Sequence, residues 1–334
     1  MRVGIMSFAH VHADGFLHVL RGLPDVEVVG FSDTDAERGK KFSELYNTKW
    51  FNTHEALLKE GADAVVICSE NANHREPVEL AAKAGAHVLC EKPIEVTMQD
   101  AEAMRDACSK AGVNFMTAFP MRFDPNIREV KRMLEREYLG KLYAINGINH
   151  SEIPKAHRAW FAIKALAGGG AVMDHTVHLL DLYRWFTGSE VVELYAEVSN
   201  PFYKNEIDVD SAGLVTLTFA NGMFATIDCS WSRPPMVYPR WGHLKMELIG
   251  ENGAVAVDAF SQHLNLYSKT ASRSTSWLGW GSDSTTVMMQ EFFSSIREKR
   301  EPSVTWKDGF EAMKVALACY ESAAKGQPVR FATP

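Results

Sequence analysis

The sequence predicts an α/β protein in two parts: an N-terminal doubly wound parallel sheet of Rossmann type, then an α+β half with an open, mainly antiparallel sheet. Three observations predict it. Over the first 120 residues, short apolar runs alternate with segments of helical period, the pattern of strand–helix units joined by right-handed crossovers. Those strand runs are apolar throughout rather than alternating, as expected where helices cover both sheet faces. Farther along, strands follow one another directly, and Asn221-Gly222 between two of them is a hairpin turn signal.

Taken in order, strands are expected at Arg2–Ser7, Val26–Ser32, Ala62–Cys68, His87–Cys90 and Val113–Ala118. Helices are expected between them at Val11–Arg21, Asp35–Tyr46, His54–Lys59, Arg75–Ala84 and Met98–Lys110. Asp35 and Thr97 suit helix N-caps, and Gly85 a helix end. The boundary falls near Phe119–Pro125, which divides the chain into an N-terminal part, 1–120, and a C-terminal part, 121–334. There, helices are expected at Asn126–Tyr138, Val172–Phe186, Val287–Lys299 and Gly309–Lys325. Strands are expected at Glu193–Val198, Gly213–Phe219, Met223–Ser230, Leu244–Ile249 and Ala254–Val257, and a Ser/Thr-rich loop at Ser268–Ser276.

With 46% hydrophobic and 23% charged residues, a chain of 334 residues can bury a large core without staples. Its charge, 35 − 42 = −7, argues against nucleic acid and against a basic membrane-surface helix. No run approaches eighteen apolar residues, and the opening Met1–Met6 is too short an apolar stretch for a secretory leader. Cys68, Cys90, Cys108, Cys229 and Cys319 are odd in number and widely spaced, which suits a reducing compartment. A cytoplasmic protein is expected.

The first strand should hold a dinucleotide if one binds, through G-x-G-x-x-G glycines that let a pyrophosphate approach. Here the segment is Ser7-Phe8-Ala9-His10-Val11-His12, with Ser7 and Ala9 in the glycine places. Asp33, ending the second strand, stands where a carboxylate accepts from a ribose 2′-OH and repels a 2′-phosphate, which favours NAD over NADP. Ser69-Glu70-Asn71-Ala72-Asn73-His74 and Glu91-Lys92-Pro93 follow two further strands at their carboxyl ends, where doubly wound folds bind ligands. Behind Gly168-Gly169-Gly170, Asp174, His178 and Asp181 share one helix stripe. Spacing alone leaves two readings of it, the wet face of an amphipathic helix or a histidine base flanked by carboxylates. A zinc site from Asp174, His175 and His178, with His10 or His12, lacks a ligand pattern, and no metal is expected.

Together these residues resemble the Gfo/Idh/MocA oxidoreductases over nearly the whole length. Glu91-Lys92-Pro93 matches the family's E-K-P, and Gly168-Gly169-Gly170 with Asp174-x-x-x-His178 matches its G-G-G and D-x-x-x-H. Ser69-Glu70-Asn71 with His74 is similar to T-P-N-x-x-H, and Arg122-Phe123-Asp124-Pro125 to R-F-x-P. Pro302-Ser303-Val304 and Gly326-Gln327-Pro328-Val329 resemble the family's ending. The resemblance implies NAD-dependent oxidation of a sugar, cyclitol or related polyol, with Lys92, Asp174 and His178 catalytic and Asp174 fixing the imidazole. Cofactor contacts are expected from Ser7, Phe8, Ala9, His10, Asp33, Ser69, Asn71, His74, Glu91 and Lys92. A substrate pocket is expected at Lys92, Asp174 and His178 together with Arg122, His150, Trp160 and Tyr238. A homodimer or homotetramer through the C-terminal sheet is also implied. Three rival readings remain, a non-catalytic NAD sensor, a NAD-assisted glycosidase or lyase, and a metal-dependent hydrolase.

Overall fold

The computed structural model describes residues 1–235, 237, 242–270 and 275–332. Its first half runs β1 (Arg2–Met6), α1 (His12–Gly22), β2 (Glu27–Ser32), α2 (Ala36–Tyr46), β3 (Trp50–Phe51), α3 (His54–Leu58), β4 (Ala64–Ile67), α4 (Arg75–Lys83), β5 (His87–Cys90), α5 (Met98–Ala111) and β6 (Phe115–Thr117). The strands are parallel in the order β3-β2-β1-β4-β5-β6, so the order reverses between β1 and β4 and a crevice opens at their carboxyl ends. All four β4 side chains are fully buried, which explains their unbroken apolar run. Asp35 and Thr97 cap α2 and α5 by accepting from the N–H groups of Arg38 and Asp100. Only β3 was absent from the sequence reading; two residues are too few to show a period.

The second half contains α6 (Pro125–Glu135), β7 (Leu142–Ser151), α7 (Lys164–Ala167), α8 (Ala171–Thr187), β8 (Val191–Ser199), β9 (Ala212–Phe219), β10 (Phe224–Ser230), β11 (Gly242–Gly250), β12 (Gly253–Asp258), β13 (His263–Tyr267), β14 (Thr275–Gly279), α9 (Ser284–Arg297), α10 (Trp306–Lys325) and β15 (Val329–Arg330). Seven strands form one sheet, β12-β11-β7-β10-β9-β8-β15, antiparallel except where β7 lies parallel to β10. The sheet is therefore mixed, with one parallel pair.

β7, near the middle, carries no strand signal in the sequence, because Asn146, Gly147 and Asn149 interrupt its apolar pattern. Gly147 is required by packing: a Cβ there would lie 2.1 Å from the Tyr183 hydroxyl of α8. The β13–β14 hairpin was also unexpected, and β14 takes the end of the stretch read as a Ser/Thr-rich loop.

α8 covers one face of this sheet, while Leu214 and Phe224 are exposed on the other. α10 serves both halves. It packs on α8 and β8, yet Met313 is buried in one apolar cluster with Val65, Val88 and Ile94 of the first half. Trp306 Nε1 donates to Ala101 O at 2.8 Å, and Thr117 Oγ1 to Thr305 O at 2.9 Å. Among the described residues no helix is long and apolar enough to cross a membrane, and the five cysteines are buried free thiols.

Candidate active site

Two chain segments from opposite halves meet above the parallel sheet. β5 ends in Cys90 and delivers Glu91 and Lys92 into the crevice, while α8 brings Asp174 in its first turn. The start of α8 is fixed from outside by Asp210, whose carboxylate accepts from Gly170 N at 2.8 Å and Val172 N at 2.7 Å. A Cβ on Gly170 would lie 1.8 Å from Asp210 O, so that glycine permits the close approach. Lys92 Nζ donates to Asp174 Oδ1 at 2.6 Å and to Asp174 O at 3.1 Å, with both side chains buried. Trp231 Nε1 donates to Asp174 Oδ2 at 3.3 Å, and His175 Nε2 lies 3.3 Å from the same oxygen and 2.9 Å from Ser151 Oγ. Burial pushes the Asp174 carboxyl up, but the Lys92 charge and His175 outweigh it, and the group is held well below the usual range.

The wet-face reading of α8 does not survive. Asp174, Asp181 and Arg184 are all buried, and of residues 171–184 only His178 is half-buried rather than buried. Burial, reinforced by the Lys92 charge, lowers the His178 pKa well below its ordinary value, so the ring is neutral near pH 7 and able to take a proton. Its Nδ1 is buried without a partner. Asp174 therefore orients Lys92 rather than the His178 imidazole, because its oxygens are already engaged.

At the nucleotide end, a cavity of 560 Å³ is lined by Ser7, Arg38, His54, Ser69, Glu70 and neighbours. Ser7 adopts φ 71°, the left-handed conformation that the first glycine of the usual fingerprint supplies. The loop's amides are nevertheless engaged: Ser7 N donates to Ser32 O at 2.7 Å, Phe8 N to Asp33 Oδ2 at 2.8 Å, Ala9 N to Ser7 Oγ at 3.1 Å and His10 N to Cys68 O at 2.8 Å. Asp33 is fully buried and gripped by Arg38, Nε to Oδ2 at 2.8 Å and Nη2 to Oδ1 at 2.9 Å. Arg38 Nη1 also reaches Glu70 Oε1 at 3.3 Å. The cleft thus meets Arg38 and Glu70 rather than Asp33, which corrects the expected ribose contact. Arg38 was missed because only the residues directly after Asp33 were read, whereas it folds back from the first turn of α2.

Other expected residues fall in several places. Trp160 is brought to the dinucleotide loop, donating from Nε1 to Ala9 O at 2.9 Å and stacking on Phe161 at 4.0 Å. Beside it, His12 Nδ1 pairs with Glu91 Oε1 at 2.8 Å. Ser69 Oγ turns to Asn73 O, while Asn71 Nδ2 donates to Ala167 O and leaves Oδ1 buried without a partner. Phe8 is core, packed on Phe31, Phe42 and Tyr46. His74 is fully buried, its ring nitrogens 3.0 Å from Ile94 O and 3.2 Å from Ser69 O, so it fixes loops instead of meeting a cofactor. Arg122 is likewise occupied, bound to Asp181 at 2.5 Å and Asp308 at 2.8 Å.

His150 points away from the pocket. The alternation along β7 sends Asn149 toward α8, where it bonds His175 O, and His150 to the open face beside Asp228. Tyr238 lies outside the described residues. Trp231 and Ser151 were not foreseen; both stand at strand ends that only tertiary pairing places beside α8.

A model of the oxidoreductase family's NAD-binding Rossmann fold matches residues 2–119, and one of the GFO/IDH/MocA C-terminal domain matches residues 127–256. The uncharacterized oxidoreductase YrbE of Bacillus subtilis is 28% identical, across 94% of this chain and 93% of its own length. Myo-inositol 2-dehydrogenase of Thermotoga maritima is 27% identical, across 99% and 98%. Among solved structures, GenD2 from gentamicin A biosynthesis in complex with NAD aligns with a TM-score of 0.89 at 23% identity, covering 100% of this chain and 97% of that one. Myo-inositol 2-dehydrogenase from Lactobacillus plantarum gives 0.85 at 23%, covering 99% of each.

Proposed function

The chain belongs to the Gfo/Idh/MocA oxidoreductase family and carries its NAD-binding Rossmann domain; on that premise we propose that it passes a hydride between NAD and a secondary alcohol of a sugar, cyclitol or related polyol. The observation that carries this reading is the convergence of Lys92 and His178, from two halves of the molecule, where the buried stretch 171–184 of α8 is interrupted by one half-buried histidine. The polyol class is supported by relatives named for inositol, such as the Thermotoga maritima enzyme. The residues present fit a dinucleotide: the crevice lies at the reversal of strand order, and Asn71 Oδ1 is an unmatched buried acceptor beside it. Arg38 and Glu70 face the cleft as a pair, so a 2′-phosphate would meet both charges and the nucleotide titration decides between NAD and NADP.

Bound NAD supplies the hydride acceptor. His178 takes the hydroxyl proton at Nε2, its neutral form being favoured by burial. Lys92 Nζ donates to the same oxygen as negative charge builds there, and Asp174 keeps the ammonium aimed. Trp160 and Phe161, both buried, shield the crevice from water. Leu214 and Phe224, exposed on the open sheet face, support pairing of two copies there.

Titration of the stripped protein with NADH and NADPH, read by nucleotide fluorescence, tests the cofactor, and a polyol panel with NAD tests the reaction. Preferential NADH binding with NADH formed from at least one polyol is the expected result. Binding of neither nucleotide overturns the reading.

A further inference from the structure

His10, His12 and Glu91 have no part in the reaction just described. We propose that these three side chains hold one divalent transition-metal ion of the zinc class, with its remaining coordination positions turned to the place of the dinucleotide's pyrophosphate. Each offers one ligand atom, and the three atoms lie within 4.8 Å of one another. Glu91 Oε1 is 2.8 Å from His12 Nδ1 and 3.9 Å from His10 Nδ1. Metal–ligand bonds of about 2.0–2.2 Å put the ligands of a tetrahedral ion roughly 3–4 Å apart, so small side-chain rotations suffice. Two imidazoles and one carboxylate form a donor set that zinc accepts.

The surroundings are those of a built site rather than a surface cluster. His10 and Glu91 are each 1% exposed. They sit at the carboxyl ends of β1 and β5, two strands of one rigid sheet. Lys92 N donates to the other Glu91 oxygen at 3.0 Å and so fixes the carboxylate. The Phe161 and Trp160 rings close over His10 at 5.2 and 5.9 Å, and His10 Nε2 is buried with no partner.

The second argument is the need for positive charge. A glycine loop receives pyrophosphate on free amides, but here the amides of Ser7, Phe8, Ala9 and His10 already have partners; only the His12 amide, which donates to His10 Nδ1 at 3.2 Å, is released when that nitrogen turns to the ion. Residues 7–13 contain no Lys or Arg, and Lys92 is held by Asp174. An ion at His10, His12 and Glu91 supplies the missing charge. This pyrophosphate role rests on the dehydrogenase reading; occupancy of the site by metal does not.

The test uses the full chain, stripped with a chelator and titrated with Co²⁺ alone, read by visible absorption. About one Co²⁺ per chain is expected, displaced by Zn²⁺. His12→Gln, at a partly exposed position, should weaken uptake by about 100-fold, while His18→Gln, at an exposed position on α1, should leave it unchanged. No uptake by the unaltered chain, or equal uptake by both variants, overturns the site. NADH titration with and without Zn²⁺ then tests the pyrophosphate role, with about tenfold tighter binding expected when the ion is present. Unchanged NADH affinity in a chain that takes up Co²⁺ overturns that role. NADH bound by neither form overturns the dehydrogenase reading and the pyrophosphate role together, with the metal site decided by Co²⁺ alone.

Discussion

Both ends of the crevice hold a buried carboxylate against a cation, Asp33 with Arg38 and Asp174 with Lys92, and they differ in what is left over. Asp33 receives a two-pronged Arg fork as well as the amides of Phe8 and Asp35. Its acceptors are filled, and the planar guanidinium is fixed in one pose. Asp174 holds an ammonium that can rotate on a flexible stem, beside imidazoles with unmatched nitrogens. The difference separates two tasks. Arginine at one end fixes shape, whereas on the proposed reaction lysine at the other end keeps a point charge able to turn to a third oxygen.

Replacing the cation at each end breaks the comparison most directly. Lys92→Met should lower turnover by about 10³-fold or more, measured by NADH formation, because it removes the charge that meets the forming alkoxide. Lys92→Arg should not restore it, since a fork cannot replace a rotating point charge. Retention of a tenth of the activity by either variant would end the distinction between the two ends.

His178→Ala should lower kcat by about 10²-fold with NADH affinity nearly unchanged. The acid limb of the pH–rate profile should lie below the ordinary histidine value and vanish in this variant. The sign follows from burial and Lys92, which depress the pKa so that the neutral base persists to lower pH. Equal losses in kcat and NADH affinity would remove the base assignment.

Arg38→Met should leave kcat nearly intact but cost about 3 kcal/mol of stability, measured by denaturant unfolding, because Asp33 stays buried without its cation. A large kcat effect would mean that the nucleotide end also takes part in chemistry.

The smallest effect concerns Glu95, a third buried carboxyl, which lacks any such cation fork. Burial, with the Asp100 charge, pushes it up to about 8. The unfolded chain releases this proton near the usual carboxyl pKa and the folded chain near 8, so stability falls as pH rises between them. Glu95→Gln should therefore raise stability, measured by denaturant unfolding, clearly at pH 8 and much less at pH 5. An equal gain at both pH values would assign the effect to packing.

What the sequence made legible is what neighbours in the chain determine. Glu91-Lys92-Pro93 and the Asp174–His178 spacing pointed to one end of the crevice, where Lys92 meets Asp174, because each motif lies within one turn or one strand end. The strand–helix alternation gave the parallel sheet for the same reason. Arg38, Trp231 and Ser151 were hidden because their importance is a matter of tertiary placement. His150 was misplaced by one residue of strand parity, which a sequence shows only once the strand itself is recognised. β7 was not recognised, since the glycine that lets α8 approach also breaks its pattern. His74 looked like a ligand-binding residue because its polarity, but not its backbone partners, can be read from sequence.

The position of α10 has a consequence for the order in which the chain can be made. Residues 1–120 leave the ribosome first, yet the apolar cluster that backs β4 and β5 is completed by Met313, with Trp306 and Phe310 packed on it. At synthesis rates of about 5–20 residues per second, the first sheet waits on the order of ten seconds or more for its last side chains. During that interval one flank of the nascent sheet stands bare, and it is there that a chaperone would have something to hold.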